Sequence, residues 1–353
     1  MKGLAISIAS IFIMNYTTLR ADAQEESQQP QTTIAQCSQA GPSLCIEYLY
    51  WKIQEDGLSP VILIDQRIVE GTNKNDLKLE NQKFEYTSGF RVALGYNFNY
   101  EKYDVNLAWT RIHPSTTTHY SASGTKELIV IPFFDQTDAD VPKAGSLVSH
   151  WHANYDMLDL VMGCKYPIGR HFKLRPNIGL KGGWINQLQK MKSNSVLVGQ
   201  PTDEIVQGSV NRQNDFNGIG PRVGVDLHYG FGSHLGIFSI LSGALLYGNF
   251  DLKTKTFLSD TSNNGVPGQG PAIVTLENSG KHLSPTVQIL LGGDWRTCFR
   301  QTHWFCFGAA YEVQYWWNQM RSDNSITQLL FVNTPAGGDL MMHGLTLRAS
   351  LDF

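Results

Sequence analysis

The sequence has few long apolar runs, and the first of them is too short to be a stable helical anchor. It covers residues 3–14, after Lys2, and a polar stretch then leads to Ala21-Asp22-Ala23. A basic start, a short apolar segment and a small-x-small pattern are typical of a secretory leader. We therefore predict a signal peptide over residues 1–23. No later stretch reaches the roughly 18 uncharged apolar residues that indicate a transmembrane helix, which argues against a helical membrane protein.

Charge is also scarce, at 17% of residues against about 25% in soluble domains. The formal net charge of −3 argues against nucleic acid as a partner. No GxSxG or CxxC motif occurs, and no Ser, His and acidic set converges by spacing. We therefore expect no enzyme, no cofactor and no metal. His150 and His152, and the loop acids Asp135, Asp138 and Asp140, are interpreted as solvated surface groups.

Instead, the sequence is rich in glycine (33 residues) and in aromatic side chains (11%), and it places apolar residues at alternate positions. Residues 86–98 alternate apolar with small or polar residues, and Arg91 lies on the polar face between Phe90 and Val92. Residues 345–353 alternate in the same way and end on Phe353. A period of two predicts β-strands with one apolar face.

The alternating segments predict about ten strands. They cover residues 44–53, 86–98, 102–113, 146–166, 172–190, 212–230, 235–259, 283–298, 302–318 and 340–353. A soluble sandwich would show the same alternation with its apolar faces inward. The connections favour a membrane barrel, because short ones alternate with long polar ones. The short ones lie at 99–101, 167–171, 231–234 and 299–301, and the long ones at 54–85, 114–145, 191–211, 260–281 and 319–339.

This pattern predicts an all-β fold, a transmembrane antiparallel up-and-down barrel with short periplasmic turns and long extracellular loops. The barrel would cover residues 44–353, with 24–43 as a periplasmic N-terminal segment. Apolar pieces at 61–64 and 128–134 leave twelve strands, an extra hairpin or inward-folded loops as alternatives. A change of phase at Met157-Leu158 predicts a β-bulge. Aromatic residues near strand ends, Trp51, Trp151 and Trp316 among them, are expected at the lipid headgroups.

Three pieces of the sequence resemble the Legionella-type major outer membrane protein family of pore-forming barrels, which includes porins of environmental chlamydiae. They are EYLYWK followed by EDGL within 47–58, GF-x-V-x-LGY at 89–96, and the C-terminal strand. The resemblance implies a location in the outer membrane of a Gram-negative bacterium and passive pore activity. Phe353 resembles the terminal aromatic that the barrel-assembly machinery of such cells recognises.

Charges of both signs lie on the polar faces and are predicted to line a pore. They are Arg91, Asp104, Asp159, Lys173, Arg175, Lys181, Arg222, Asp226, Asp294, Arg296, Glu312 and Arg348. One hypothesis is a porin that passes small hydrophilic solutes and ions through a water-filled barrel. The alternative is a non-conducting structural or adhesion barrel whose interior is filled by ion pairs. Outer-membrane lipid is an expected partner in either case, and a homo-oligomer is possible.

Five cysteines occur, all after the predicted leader, in a region that would be oxidising. Cys37 lies close to Cys45 in the sequence, and Cys298 lies close to Cys306, so either pair could form a disulfide. Because five is odd, one thiol is left over, either buried and inert or available for a disulfide with an envelope partner.

Overall fold

The computed structural model describes residues 40–56, 58, 61–69, 72–98, 102–121, 126–130, 143–197, 204–259, 272–299, 303–321 and 337–353. The predicted leader over 1–23, nearly all of the predicted periplasmic segment, and Asp135, Asp138 and Asp140 lie outside these residues. Within them, no helix has the length and hydropathy needed to cross a membrane.

Within the described ranges, fifteen β-strands form one sheet. In chain order they are β1 (Gly41–Glu55), β2 (Val61–Val69), β3 (Thr72–Glu80), β4 (Tyr86–Asn97), β5 (Tyr103–Ile112), β6 (Ser115–Ser121), β7 (Lys126–Val130), β8 (Lys143–Cys164), β9 (Tyr166–Ile168), β10 (Phe172–Leu197), β11 (Glu204–Phe231), β12 (Leu235–Ser259), β13 (Ala272–Phe299), β14 (His303–Arg321) and β15 (Gly337–Asp352).

Ten of these strands close a barrel, which confirms the predicted fold. Around the ring they follow the order β1, β4, β5, β8, β10, β11, β12, β13, β14 and β15, and every neighbouring pair is antiparallel. The last strand closes the ring by pairing with the first, from Ser43 with Asp352 to Glu55 with Leu340. Closure satisfies the backbone groups of both end strands, which lipid could not do.

Several connections that were predicted as long loops are largely strand. β10 and β11 pair without a break from Phe172 with Tyr229 to Leu197 with Glu204. The loop predicted at 191–211 is therefore wrong over most of its length. The physical reason is that two antiparallel neighbours of equal length continue to satisfy each other's backbone groups beyond the membrane.

The two apolar pieces in the first long connections form strands outside the barrel. β2 pairs with β3 over its whole length and with β7 on its other side. β7 in turn pairs with the start of β8, at Leu128 with Ala144. The extra hairpin is therefore present, and the twelve-stranded alternative is wrong because β2 and β3 pair outside the closed ring.

The β-bulge predicted at Met157-Leu158 is also wrong. Residues 156–158 of β8 pair in unbroken register with residues 182–184 of β10. The apolar residues change face there because Tyr155 and Met157 fill the barrel interior, whereas Leu158 and Leu160 face outward. Asp156 also lies on the outward face. Arg111 on the neighbouring strand accompanies it, with Nε 3.6 Å from Asp156 Oδ1.

The two faces of the wall differ in chemistry as predicted. Large apolar side chains such as Leu94, Leu160 and Ile178 are exposed on the outside. Trp51, Trp151 and Trp316, which were expected at the headgroups, are instead buried inside the barrel. They occupy inward positions of the two-residue period. A residue near a strand end can lie on either face of the strand, so position along the strand did not predict that these rings point inward.

Candidate functional site in the barrel interior

The barrel interior is the candidate site, because all twelve predicted pore-lining residues occupy inward positions of their strands. Exposed apolar residues lie outward beside many of them, such as Phe90 beside Arg91, Leu160 beside Asp159 and Trp295 beside Arg296. Lys173 is itself exposed near the periplasmic end of β10. The other eleven take part in ion pairs or hydrogen bonds with each other and with Glu47 or polar neighbours.

The first group of contacts is centred on Arg91. Its Nη1 donates to Glu47 Oε2 at 2.6 Å, its Nη2 donates to Glu312 Oε1 at 2.9 Å, and its Nε donates to Thr110 at 2.8 Å. Arg348 donates to the other oxygen of Glu47 at 2.6 Å. Arg91 lies in the barrel interior, where its charge is held between two carboxylates instead of facing open water.

Glu312 is fully buried and its carboxylate is saturated with donors. Besides Arg91, it accepts hydrogen bonds from Gln288 at 2.6 Å, from Gln314 at 2.8 Å and from Thr346 at 3.2 Å. Charge-assisted hydrogen bonds of this kind replace the water that a buried carboxylate loses. Arg91 lies on β4 and Glu312 on β14, so the contact crosses the interior between strands that are not neighbours.

The second group joins β8, β10 and β11. Lys181 Nζ lies 3.0 Å from Asp159 Oδ2, and Arg222 Nε lies 3.4 Å from Asp159 Oδ1. Arg222 also donates to Asn177 at 3.1 Å. One carboxylate thus receives two cations, and Lys181 further approaches the Trp316 ring, 5.7 Å from its centroid.

The third group lies nearer the periplasmic turns. Arg175 bridges Asp104 and Asp226, with 3.0 Å from Arg175 Nε to Asp104 Oδ1 and 2.5 Å from Nη1 to Asp226 Oδ2. Asp294 pairs with Arg296 and lies 3.1 Å from His228 Nε2. We define these three groups together as the charged interior.

The extracellular part of the interior is filled by apolar side chains. We define this cluster as the apolar plug. It comprises Leu49, Trp51, Ile53, Leu58, Ile112, Trp151, Ala153, Tyr155, Met157, Ile185, Phe216, Leu246, Phe250, Trp316, Leu340 and Met342. Every member is at most 4% exposed, so the packing leaves water little access.

A hydrogen bond joins opposite walls of the barrel at the boundary between the two parts. The Tyr155 hydroxyl donates to Gln314 Oε1 at 3.1 Å. Tyr155 lies on β8 and Gln314 on β14, which are five strands apart in either direction around the ring. A cavity between Lys181, Arg222 and Gln314 measures about 10 Å³, roughly the space of one water molecule. Side chains therefore span the lumen at this level.

The cysteine predictions need correction. Cys45, Cys164 and Cys306 are free thiols, so the pairing of Cys37 with Cys45 and that of Cys298 with Cys306 are both absent from the structure. Register explains the second case, because Cys298 lies opposite Trp304 and Cys306 lies opposite Arg296. Diagonal positions of this kind are about 7–8 Å apart, beyond the usual reach of a disulfide.

Of the surface groups that the sequence analysis discussed as possible metal ligands, the structure describes His150 and His152. His150 contacts the Thr117 hydroxyl at 2.9 Å, and its ring centroid is 6.0 Å from that of His152. Across the described ranges, no three His, Cys, Asp or Glu side chains are arranged to hold a metal ion.

Sequence reasoning missed the residues that close the lumen, above all Tyr155, Gln314 and Trp316. All three share the inward period with charged residues that were identified, such as Asp159 and Glu312. The two-residue period therefore places these aromatic and amide residues in the lumen as well, although they carry no charge that would mark them as pore-lining.

A closed antiparallel barrel with an apolar outer wall and a charged interior defines an outer-membrane β-barrel protein. The family model described as "Legionella pneumophila major outer membrane protein precursor" matches residues 34–353. The chain belongs to this family, which confirms the resemblance seen in the sequence and the outer-membrane location. None of the curated proteins matches the chain.

Solved barrels show a distant likeness. The outer membrane protease OmpT from Escherichia coli is 10% identical, with 89% of this chain and 96% of that chain covered and a TM-score of 0.40. A Pseudomonas aeruginosa FadL homologue is 9% identical, with 89% and 90% covered and a TM-score of 0.27. At these scores the likeness supports no inference about activity.

Proposed function

We propose that this chain is a structural outer-membrane barrel that is closed at rest and holds its long strands on the cell surface. The observation that carries the proposal is the hydrogen bond between Tyr155 and Gln314, which joins opposite walls at 3.1 Å. Side chains that bridge the full width of a lumen leave no continuous column of water at that level.

The apolar plug strengthens this proposal. An ion in transit must exchange its hydration shell for polar groups of the pore wall. The plug places Trp51, Trp151, Trp316 and Phe216 across the lumen, each at most 1% exposed. Such side chains offer few ligands to an ion or a polar solute, so transfer past them without rearrangement is unfavourable.

A porin for small hydrophilic solutes and ions is the second candidate, and the charged interior favours it. Buried ion pairs contribute little net stability compared with apolar packing of the same volume, because both charges lose their water. Stability alone therefore gives no reason for the ion pairs around Arg91, Asp159 and Arg175. A porin requires the apolar plug to move, after which the charged interior would act on solutes from the periplasmic side.

Conductance of the full-length folded barrel in planar lipid bilayers distinguishes the two candidates. We expect the wild type to show no sustained single-channel steps. The double variant Tyr155→Ala/Trp316→Ala removes the bridge and one of the three tryptophan rings of the plug, and it should open a measurable pore. Trp317→Ala is the matched control, because Trp317 is the outward neighbour of Trp316 and is 39% exposed. It should remain closed.

Sustained steps from the wild type would contradict the closed barrel and favour the porin. If the double variant stays closed while its mobility remains heat-modifiable, as folded barrels are, then the plug does not block the lumen. The lack of enzymatic activity and a disulfide-linked envelope partner stay predictions. Cys164, on the outward face of β8, is the free thiol placed to make such a link.

A further inference from the structure

The outer wall of the barrel carries a groove of about 810 Å³ over strands β8, β10, β11 and β12. It lies on the outside because Leu158, Leu180 and Ile219, which line it, are outward residues with exposures of 43%, 48% and 62%. Its volume falls within the range of about 300–1,000 Å³ that small-molecule sites occupy. The groove opens on the outer wall, and it shares Phe216 with the apolar plug. The proposals above do not depend on it.

The groove exists because a glycine interrupts the outward row of β10. Gly182 lies between Leu180 and Trp184 on that row, and it pairs with Leu158 on one side and Ile219 on the other. A Cβ atom at Gly182 would lie 3.1 Å from the Ile219 side chain, so a side chain here would occupy the floor of the groove.

On each of three strands that line the groove, the outward residues change from apolar to polar at the same height along the barrel. Along β11 the outward residue after Ile219 is Asn217, and along β12 the outward residue after Tyr247 is Asn249. Trp184 is likewise followed by Asn186 on β10. Aromatic rings followed by polar side chains mark the boundary between hydrocarbon and headgroups. The polar end faces the long extracellular strands, so this is the boundary of the outer leaflet.

The polar end carries charges of both signs. Asp215 and Asp251 lie directly opposite each other across β11 and β12, and Lys281 lies opposite Asn249 on the next strand. Asp215 accepts a hydrogen bond from Gln213 at 2.5 Å. Two adjacent carboxylates repel each other, so a cationic group between them is favourable. A phosphate is favoured at Lys281.

We propose that this groove binds one phospholipid with an ethanolamine headgroup. The ammonium group would lie between Asp215 and Asp251, the phosphate at Lys281, and an acyl chain along Leu158, Leu180 and Ile219 over Gly182. Any occupant at this place is membrane lipid, because the apolar part of the groove faces the hydrocarbon core. A multiply phosphorylated glycolipid fits less well, since its negative groups would face two carboxylates.

Native mass spectrometry of the full-length folded barrel tests this proposal with defined lipids. The barrel is titrated separately with phosphatidylethanolamine, phosphatidylcholine, phosphatidylglycerol and a lipid A-type glycolipid. We expect one phosphatidylethanolamine to bind most tightly. Asp215→Asn/Asp251→Asn should weaken it about tenfold, as expected when charge-assisted hydrogen bonds are lost. Glu85→Gln, an exposed acid just before β4 and outside the groove, is the control for charge and should have no effect.

Gly182→Leu tests the shape of the groove independently of its charge. It should also reduce binding about tenfold by filling the floor where the acyl chain would lie. Gly293→Leu is the matched control, because Gly293 lies between Leu291 and Trp295 on the outward row of β13 and outside the groove. Its Cβ would approach no atom closer than 3.6 Å.

Three results would overturn the proposal. They are equal or tighter binding of the glycolipid or of phosphatidylglycerol, unchanged binding in the aspartate variant, and unchanged binding in a folded Gly182→Leu barrel. If Gly182→Leu does not fold, as judged by heat-modifiable mobility, then the aspartate variant decides the outcome. Phosphatidylcholine should bind less tightly, because its methylated ammonium cannot donate hydrogen bonds to Asp215 and Asp251.

Discussion

The charged interior and the apolar plug fill the same lumen by different means. Both use inward positions of the same strands, so Glu47 and Leu49 are successive inward residues of β1, and Asp159 and Met157 are successive inward residues of β8. Arg91 contacts Glu47 and Glu312 through directed bonds, whereas Leu49 and Phe216 are held by packing. The stability of a network of directed bonds depends on each bonding partner, whereas the stability of an apolar cluster depends on the volume that its side chains fill. The two regions should therefore respond differently to truncation.

The largest expected effect is in the charged interior. Glu312→Leu removes one of the two carboxylates that hold Arg91 and should lower the free energy of unfolding by about 3–5 kcal/mol, because the buried charges of Arg91 and Arg348 are then left with Glu47 alone. The double variant Arg91→Met/Glu312→Leu should recover most of that loss, because no charge then remains unpaired. Urea unfolding in lipid vesicles measures both. If the double variant is less stable than Glu312→Leu, then Arg91 was not destabilised by losing Glu312.

The corresponding change in the apolar plug should show no such recovery. Leu49→Ala removes a fully buried side chain and should cost about 2–5 kcal/mol, as lost packing and a cavity. Adding Met157→Ala should increase the loss, since each truncation removes further contacts. The same urea unfolding checks this result. A second truncation that restored stability would mean that the plug is strained, and the contrast with the charged interior would disappear.

A smaller effect is expected at the boundary between the two regions. Tyr155→Phe keeps the ring in the apolar plug and removes the hydroxyl that donates to Gln314. The expected loss is about 0.5–1.5 kcal/mol, the net contribution of one hydrogen bond. The Leu49→Ala and Tyr155→Phe variants are compared in the same vesicles. A loss as large as that of Leu49→Ala would show that the bridge, and not the packing, holds the opposite walls together.

The smallest effect is expected for an ion pair outside the barrel interior. Lys253 and Glu277 pair on the outer face of β12 and β13, where their side chains are 42% and 60% exposed. Lys253→Gln should leave the free energy of unfolding close to that of the wild type, as is usual for exposed pairs. Added salt should reduce any remaining difference, because exposed charges are screened. A loss near that of Glu312→Leu would mean that burial does not distinguish the two pairs.

Much of the fold could be predicted from the period of two. Residues such as Phe90, Val92 and Leu94 share an outward face because alternate side chains of a strand point to opposite sides. The same rule placed Arg91 and Glu312 inside. Strand ends were harder to predict, as β10 and β11 show, because a ladder outside the membrane needs no apolar side chains and therefore leaves no hydrophobic signal.

The sequence by itself determined the class of protein, a barrel of about ten strands, and the inward face of charged residues such as Arg91 and Glu312. Local alternation is a property of the chain, so it can be read without a partner strand. Only the tertiary structure decided that Tyr155 reaches Gln314, that Arg91 is held between Glu47 and Glu312, and that three tryptophans lie inside. These contacts join residues as many as 221 positions apart, and they depend on strand register and on the width of the closed ring.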